Sequence, residues 1–388
     1  MQEYYADLHI HIGRTASGRA VKITGSKTLT LANILETASS KKGLDIIGII
    51  DCHSPEVMDE LTMMLAQGRL QELNEGGLLF QTTTLILGTE IEIYDEHCHG
   101  PIHVLAYFPT LTQMRTFSDW MSQHMKNIHL SSQRIYCDGK TLQQKVRELD
   151  GLFIPAHVFT PFKSLFGKGV KHSLTEVFDP QLVDGIELGL SSDTDMVSRI
   201  SELQAYTFVS NSDAHSVGKI AREYQKLRLA AANFAELKLA LHEQQGRAII
   251  ANYGLNPLLG KYHQTVCAKC DKQSEEGTTI CPYCGSNQMT KGVAARIQEL
   301  SSASVIPRQR PPYIHQVPLD FIPGLGPKMM ERLLQAFGTE MNILHRATYE
   351  QLEQVVPAKI AQMIDLARTG QLAITVGGGG VYGKVQRD

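Results

Sequence analysis

Along the first two-thirds of the chain, short apolar runs end repeatedly in polar residues, and a helical or loop stretch follows each. The runs are ADLHIH, LDIIGIIDCH, TLILGTEIEI, PIHVLAYF, GLFIPAH, VDGIELG, TFVSNSDAH and RAIIANY. Unbroken stretches of Ile, Leu and Val suit strands buried on both faces of a parallel sheet. Helix-like segments such as LANILETASSKKG and FAELKLALHEQQG lie between them, the second closed by Gly246. This alternation predicts an α/β fold, a βα barrel over residues 1–255, with its chemistry at the carboxyl ends of the strands. Near Asn256 the pattern breaks. Residues 256–290 hold two CxxC pairs, and residues 291–312 read as a polar, proline-bearing linker. Residues 313–388 are expected to be helical with tight Gly/Pro turns, ending in the flexible stretch VGGGGVYGKVQRD.

Composition narrows the class. A chain of 388 residues, 43% hydrophobic and 20% charged, suits a soluble protein of two or three units. Its net charge of −3 argues against a uniformly basic nucleic-acid binder, but the charge is uneven. Residues 291–388 carry 11 Lys+Arg against 8 Asp+Glu, a net +3, so residues 1–290 carry −6. An acidic front half suits cation collection, and a mildly basic tail suits phosphate contacts. Seven cysteines, four of them in CxxC pairs, argue against a disulfide framework and for the reducing cytoplasm. No basic and apolar leader opens the chain, and no apolar stretch reaches the ~18 residues of a membrane span.

Histidines and acids gather at the predicted strand ends. His9 and His11 alternate, so they share one face. Asp51 and His53 end the next run, Glu90 a third; His103, His157, Asp213 and His215 follow. Imidazoles mixed with carboxylates favour Zn²⁺, Mn²⁺ or Mg²⁺. The motifs HIH (9–11), DCH (51–53), GTE (88–90), HVL (103–105), PAH (155–157) and SDAH (212–215) resemble those of the PHP (polymerase and histidinol phosphatase) superfamily. The resemblance implies a distorted βα barrel holding two or three catalytic cations. It implies one site of His9, His11, Glu90 and Asp213, with Glu90 bridging to His103 and His157, and with His53 and His215 helping to hold a third ion. Cys52 interrupts the usual Asp-His pair, which leaves the role of Asp51 open. Glu187 ends its own run and is a candidate to support the ligands. His97 and His99 read equally well as loop histidines or as accessory groups.

Cys267, Cys270, Cys281 and Cys284, with ten residues between the pairs, form a closed four-thiolate shell for one structural Zn²⁺. The segment FIPGLGPKMMERLLQAFG resembles the helix-hairpin-helix motif of DNA repair proteins, implying backbone contacts to phosphate from Gly324 and Gly326 and added charge from Lys328. Met329, Leu333, Leu334 and Phe337 would form the apolar stripe of the helix that follows.

A PHP barrel, a four-cysteine module and a helical tail, in that order, resemble the endonuclease Q family. The resemblance implies hydrolysis of a DNA phosphodiester 5′ to uracil, hypoxanthine, xanthine or an abasic site. It also implies double-stranded DNA with a damaged base as substrate, and it raises a sliding clamp as a partner, although no convincing clamp-binding peptide is visible. An everted base needs a pocket, and FTPFKSLFGKGVKH offers Phe159, Phe162 and Phe166 for it, the last two one helical turn apart. The loop GRTASGRAVKITGSK is a second candidate to line a phosphate track. A 3′-exonuclease, a histidinol-phosphate-type phosphatase and a non-catalytic DNA-binding scaffold are the competing readings.

Overall fold

The computed structural model describes residues 1–260, 262–372, 374–375 and 384–385. Apart from the backbone of 384–385, the glycine-rich stretch 376–388 lies outside the described residues.

Seven strands close a ring. They are β1 (Gln2–Ile10), β2 (Ile46–Ile49), β3 (Thr83–Ile93), β4 (Ile102–Phe108), β5 (Leu152–Pro155), β6 (Ile186–Glu187) and β7 (Phe208–Val209). Strands β1, β2 and β3 pair in parallel, β4 runs antiparallel to both β3 and β5, and β6 pairs in parallel with β7. Asp184 N donates to Phe153 O (2.9 Å) and Val158 N to Glu187 O (3.0 Å), joining β5 to β6. A bridge between Ile10 and Ala214 returns the chain from β7 to β1 and closes the barrel.

Strands β8 (Tyr224–Leu229), β9 (Ala248–Gly254) and β10 (Tyr313–His315) extend the sheet outward from β1. The sheet is thus more antiparallel than apolar runs alone suggest. The reason is connection length, since only residues 94–101 separate β3 from β4, too few for the crossover a parallel pair requires.

Leu8, Ile46, Ile86, Leu105, Ile154 and Val209 fill the barrel interior, and helix α1 of the closing segment (Phe234–Leu241) adds Phe234, Leu237 and Leu241 to the same cluster. That helix is shorter than its sequence pattern suggests; it ends at Leu241, and Gly246, at φ +77°, serves the turn before β9. The hydroxyl of Tyr107 donates to Leu8 O (2.7 Å) across the interior. A second, larger cluster lies outside the strands and runs on into the carboxyl-terminal helices.

Within residues 291–312, whose composition suggests a tether, the chain instead forms helix α2 (Val293–Leu300) with Val293, Ala295 and Ile297 buried. The guanidinium of Arg296 donates to the backbone oxygens of Phe166, Val170 and Lys171, and that of Arg310 to Leu203 O and Tyr206 O. The terminal unit contains helices α3 (Pro327–Phe337), α4 (Glu340–His345), α5 (Tyr349–Glu353) and α6 (Ala358–Arg368). Strand β10 anchors it by pairing with β9. Lys42 Nζ meets Glu340 Oε2 at 2.7 Å in a buried ion pair, and the His345 ring stacks on Tyr5 (4.4 Å between centroids). Either charge left buried without its partner would be costly, so the contact favours this packing of the helices on the barrel.

Candidate metal centre and nucleic-acid contacts

His9 and His11 leave the end of β1 two residues apart, and both imidazoles are fully buried. Their Nε2 atoms have no hydrogen-bond partner. Each instead faces carboxylate oxygens at ligand-to-ligand spacing. His9 Nε2 lies 3.6 Å from Glu90 Oε1 and 3.4 Å from Asp213 Oδ1; His11 Nε2 lies 3.6 Å from Glu90 Oε2 and 3.5 Å from the same Asp213 oxygen. Ligands about 2.0–2.2 Å from a shared tetrahedral cation stand roughly 3.3–3.6 Å apart, so the donors fit a Zn²⁺-like ion. On its other side Glu90 Oε1 meets His103 Nδ1 (2.9 Å) and His157 Nε2 (3.3 Å), making Glu90 the shared member of two ligand groups. A further group joins His11, Asp213 and His215.

The backbone is bent to achieve this. His157 and Asp213 hold positive φ angles of 31° and 44°, values that side-chain-bearing residues adopt at a cost and that cluster at functional sites. Gly189 lets the chain pass close by, because a Cβ there would stand 2.6 Å from His157 Cβ.

Two buried carboxylates hold the ligands from behind. Glu187 accepts from His9 Nδ1 (3.0 Å), His157 N (2.8 Å) and Asn211 Nδ2 (2.7 Å). Asp51 Oδ2 accepts from His11 Nδ1 (3.1 Å) and Ile12 N (2.7 Å). Such partners fix which ring nitrogen remains free for a cation. Asp51 therefore supports a ligand rather than joining a ligand group. His53 also stands outside the groups, because its Nδ1 lies 2.8 Å from Thr89 Oγ1 and its Nε2 3.3 Å from Leu130 O. Between Asp51 and His53 the buried Cys52 donates its amide to Gly88 O and its thiol to Ile49 O.

The charges are strongly coupled. Burial would raise the Glu90 carboxyl, but His103 and Lys22 outweigh it and hold it well below the usual range. Asp213, half-buried, is held well below by His9 and His11. Burial disfavours a charged His9, yet Glu187 and Asp213 pull it up to about 10. His53, by contrast, is pushed down by burial.

These groups open into a cleft of about 520 Å³. Its walls include Leu190, Leu255, Leu259, Tyr262 and Phe162, with Ser132, Gln133 and Asn211 as polar members. Of the three phenylalanines considered for a base pocket, Phe162 alone lines it, being 47% exposed and set edge-on to Tyr262. Phe159 and Phe166 are buried and stack on each other at 5.2 Å, so they belong to the core. The expected helical alignment of Phe162 with Phe166 does not form, because the turn starts only at Leu165, capped by Ser164. His97 and His99 are exposed, pair with Glu96 and Glu176, and stand outside the ligand groups.

The residue least visible in the sequence is Lys22, whose ammonium contacts Glu90 Oε2 (3.2 Å) and Ser132 Oγ (2.6 Å) inside the cleft. It comes from the loop considered above for a phosphate track, but nothing in its neighbours distinguishes it from Lys27.

Cys267 Sγ and Cys284 Sγ stand 3.6 Å apart, as do Cys270 Sγ and Cys281 Sγ. Thiolates about 2.3 Å from one ion require nearly that separation, so the four fit one Zn²⁺. In the terminal unit Gly324 turns at φ +85° and Gly326 caps α3 without any side-chain partner for the helix amides. Lys328 is exposed. Of the expected stripe, Leu333 is buried, and Met329, Leu334 and Phe337 pack partly buried against the core.

A barrel gathering imidazoles and carboxylates at one mouth, spaced for cations, fits a metal-dependent nuclease. Full-length relatives give the particular family. The chain is 31% identical to the lesion-specific endonuclease PfuEndoQ of Pyrococcus furiosus, with a TM-score of 0.84 over 99% of this chain and 95% of that one. It matches equally well, at 31% identity and TM-score 0.84 over 100% and 97%, an endonuclease Q bound to a 27-mer duplex with an abasic lesion at the active site. The chain belongs to the endonuclease Q family. It is also 58% identical, over the whole of both chains, to the uncharacterized protein YqxK of Bacillus subtilis. No protein-family profile matches it.

Proposed function

We propose that this protein is a DNA repair endonuclease that hydrolyses the phosphodiester 5′ to a deaminated base (uracil, hypoxanthine or xanthine) or an abasic site in duplex DNA. The observation that carries the reading is the junction of two features in one cleft, a ligand constellation beside a half-apolar recess with a free aromatic, Phe162. Chemistry at a site within a duplex requires the target nucleotide to leave the stack, and a recess with one aromatic wall can receive it. His9, His11, Glu90 and Asp213 would hold one cation, and Glu90, His103 and His157 another. Zn²⁺ or Mn²⁺ suits these donors, with Mg²⁺ the poorer match to imidazole. Such ions lower the pKa of a bound water and neutralise charge on a phosphoryl group. The protein's own part is to hold the imidazoles in one tautomer through Glu187 and Asp51 and to grip flanking phosphates through the Gly324–Gly326 hairpin and Lys328. No described helix is long and apolar enough to cross a membrane. The sliding clamp gains no support from the structure or the relatives.

A labelled duplex with one internal uracil, incubated with Mn²⁺ or Mg²⁺ and run on a sequencing gel, tests the reading. A single nick immediately 5′ to the lesion is expected. A ladder from the 3′ end would point to an exonuclease, release of phosphate from a monoester alone to a phosphatase, and an intact duplex under every metal would sink the proposal. A parallel set with hypoxanthine, xanthine and abasic substrates gives the lesion range.

A further inference from the structure

The ligand groups overlap in a way that limits how many cations they can hold. His11 belongs to both the group with His9 and Glu90 and the group with Asp213 and His215. Its Nδ1 is already engaged by Asp51 and Ser131, at 3.1 Å each, leaving Nε2 as its one free lone pair. One imidazole nitrogen binds one ion. Once His9, His11, Glu90 and Asp213 surround a cation, the third group retains only Asp213 and His215. His53, the natural additional donor, has both ring nitrogens occupied by Thr89 and Leu130. Two protein ligands make a poor cation cage compared with the three or four of the other positions.

A different positive charge stands at this edge of the site. Lys22 Nζ lies 3.2 Å from Glu90 Oε2 and 2.6 Å from Ser132 Oγ, and it bears electrostatically on Asp51, His103 and His215 as well as Glu90. Its side chain is 13% exposed, lines the cleft, and is held by a backbone bond from its own amide to Ile12 O (2.9 Å). An ammonium is a compact point charge that suits a phosphate oxygen.

We propose that Lys22 supplies the third positive charge of this site, so that the centre works with two cations and a lysine, and that its ammonium contacts a non-bridging oxygen of the scissile phosphate. The inference rests on the phosphodiesterase reading above. In that reaction the water oxygen bonds to phosphorus as the ester phosphorus–oxygen bond breaks. One water proton goes to the leaving alkoxide, and the other stays with the new phosphomonoester or passes to solvent. Lys22 neither gives nor takes a proton; it stabilises the charge that builds on the phosphoryl oxygens.

The test pairs ion counting with kinetics on full-length protein with its four-cysteine zinc retained. Calorimetric titration with Mn²⁺ should show two ions beyond that zinc, in wild type and in Lys22→Ala alike. Turnover of Lys22→Ala should fall about 100-fold, in line with deletion of one oxyanion-stabilising donor, with KM within a few fold. Added methylammonium should restore part of it, and Lys22→Arg should retain more than Lys22→Ala. Three bound ions in the wild type, unchanged turnover in Lys22→Ala, or a loss tracking lower ion affinity or melting temperature without amine rescue would each overturn the proposal. Wild type that cleaves no lesion-bearing duplex overturns the function above, whereas three bound ions or an active Lys22→Ala with cleavage by wild type intact overturn the place of Lys22 alone.

Discussion

In the function proposed above the barrel mouth and the carboxyl-terminal hairpin would both meet phosphate, yet they are built on opposite plans. At the mouth the important atoms belong to side chains, and the two most buried, His9 and His11, are held from behind. His9 has Glu187, His11 has Asp51, and two ligand residues accept strained backbone angles. At the hairpin the offering is backbone. Gly326 caps α3 without a side chain, its ideal Cβ would meet nothing within 4 Å, and the exposed Lys328 adds charge in the first turn. Cation chemistry tolerates little misplacement and demands over-determined geometry, whereas sequence-independent grip on a duplex needs only accessible amides. The two should therefore fail separately.

The largest effect is expected from Glu90→Gln or Asp213→Asn. Cleavage of a uracil duplex should fall by roughly 10³-fold or more, while affinity measured by fluorescence anisotropy stays within a few fold. Near-normal turnover in either variant would remove that residue from the centre. Next comes Glu187→Gln, which keeps the ligands but weakens the hold on His9 and His157. A loss of about 10–100-fold in ion affinity or turnover follows from comparable supporting carboxylates. Titrating Mn²⁺ against activity distinguishes this from a folding defect, because excess ion should recover part of the rate.

The hairpin calls for a smaller number. Gly326→Val is the cleaner probe, since Gly324 holds a positive φ and its Cβ would press on Ile360 at 3.1 Å. Losing one amide–phosphate hydrogen bond costs about 1 kcal/mol, or roughly fivefold in affinity. Damaged and intact duplexes should suffer equally, with turnover at saturation unchanged. A selective loss on damaged DNA would mean that the hairpin reads the lesion after all.

The smallest effect concerns stability alone. Burial lifts the Glu223 carboxyl from 4.5 to about 8, and one of its oxygens has no partner, the other accepting from Leu255 N. A raised acid favours the folded state at low pH, and that contribution is lost between about pH 4.5 and 8 as only the unfolded chain ionises. Glu223→Gln should thus melt a few degrees above wild type at pH 8.5, with the gap shrinking towards pH 5. A gap independent of pH would show that Glu223 is ionised in the folded protein.

Seven of the nine expected ligands fall into the ligand groups, because strand ends advertise themselves as apolar runs stopping at His, Asp or Glu. Asp51 and His53 escape that logic. Asp51 is taken up by His11 Nδ1 and Ile12 N, and His53 by Thr89 and Leu130, contacts that depend on neighbouring strands and loops and that no periodicity encodes. Lys22 is invisible for a related reason, lying in a loop whose path is set by Ile12, Gly13 and Ser26 rather than by local pattern. The aromatic segment 159–166 illustrates the limit from the other side, since hydrophobic spacing identifies three candidates but only packing separates Phe162 from its buried companions. The barrel itself was legible as α/β, although its antiparallel members depend on connection lengths that the apolar runs do not encode.

The pairing of β10 with β9 has a consequence for dissecting the molecule. Residues 313–315 cover a strand edge of the catalytic sheet, and His345 shields Tyr5, Tyr224 and Tyr253. Cutting the chain at residue 312 would not liberate a minimal catalytic barrel. It would uncap a row of unpaired amides and carbonyls beside a patch of tyrosine rings, the kind of surface on which sheets from different molecules join. A chain cut there should therefore associate where the whole chain does not, which light scattering of the two would check.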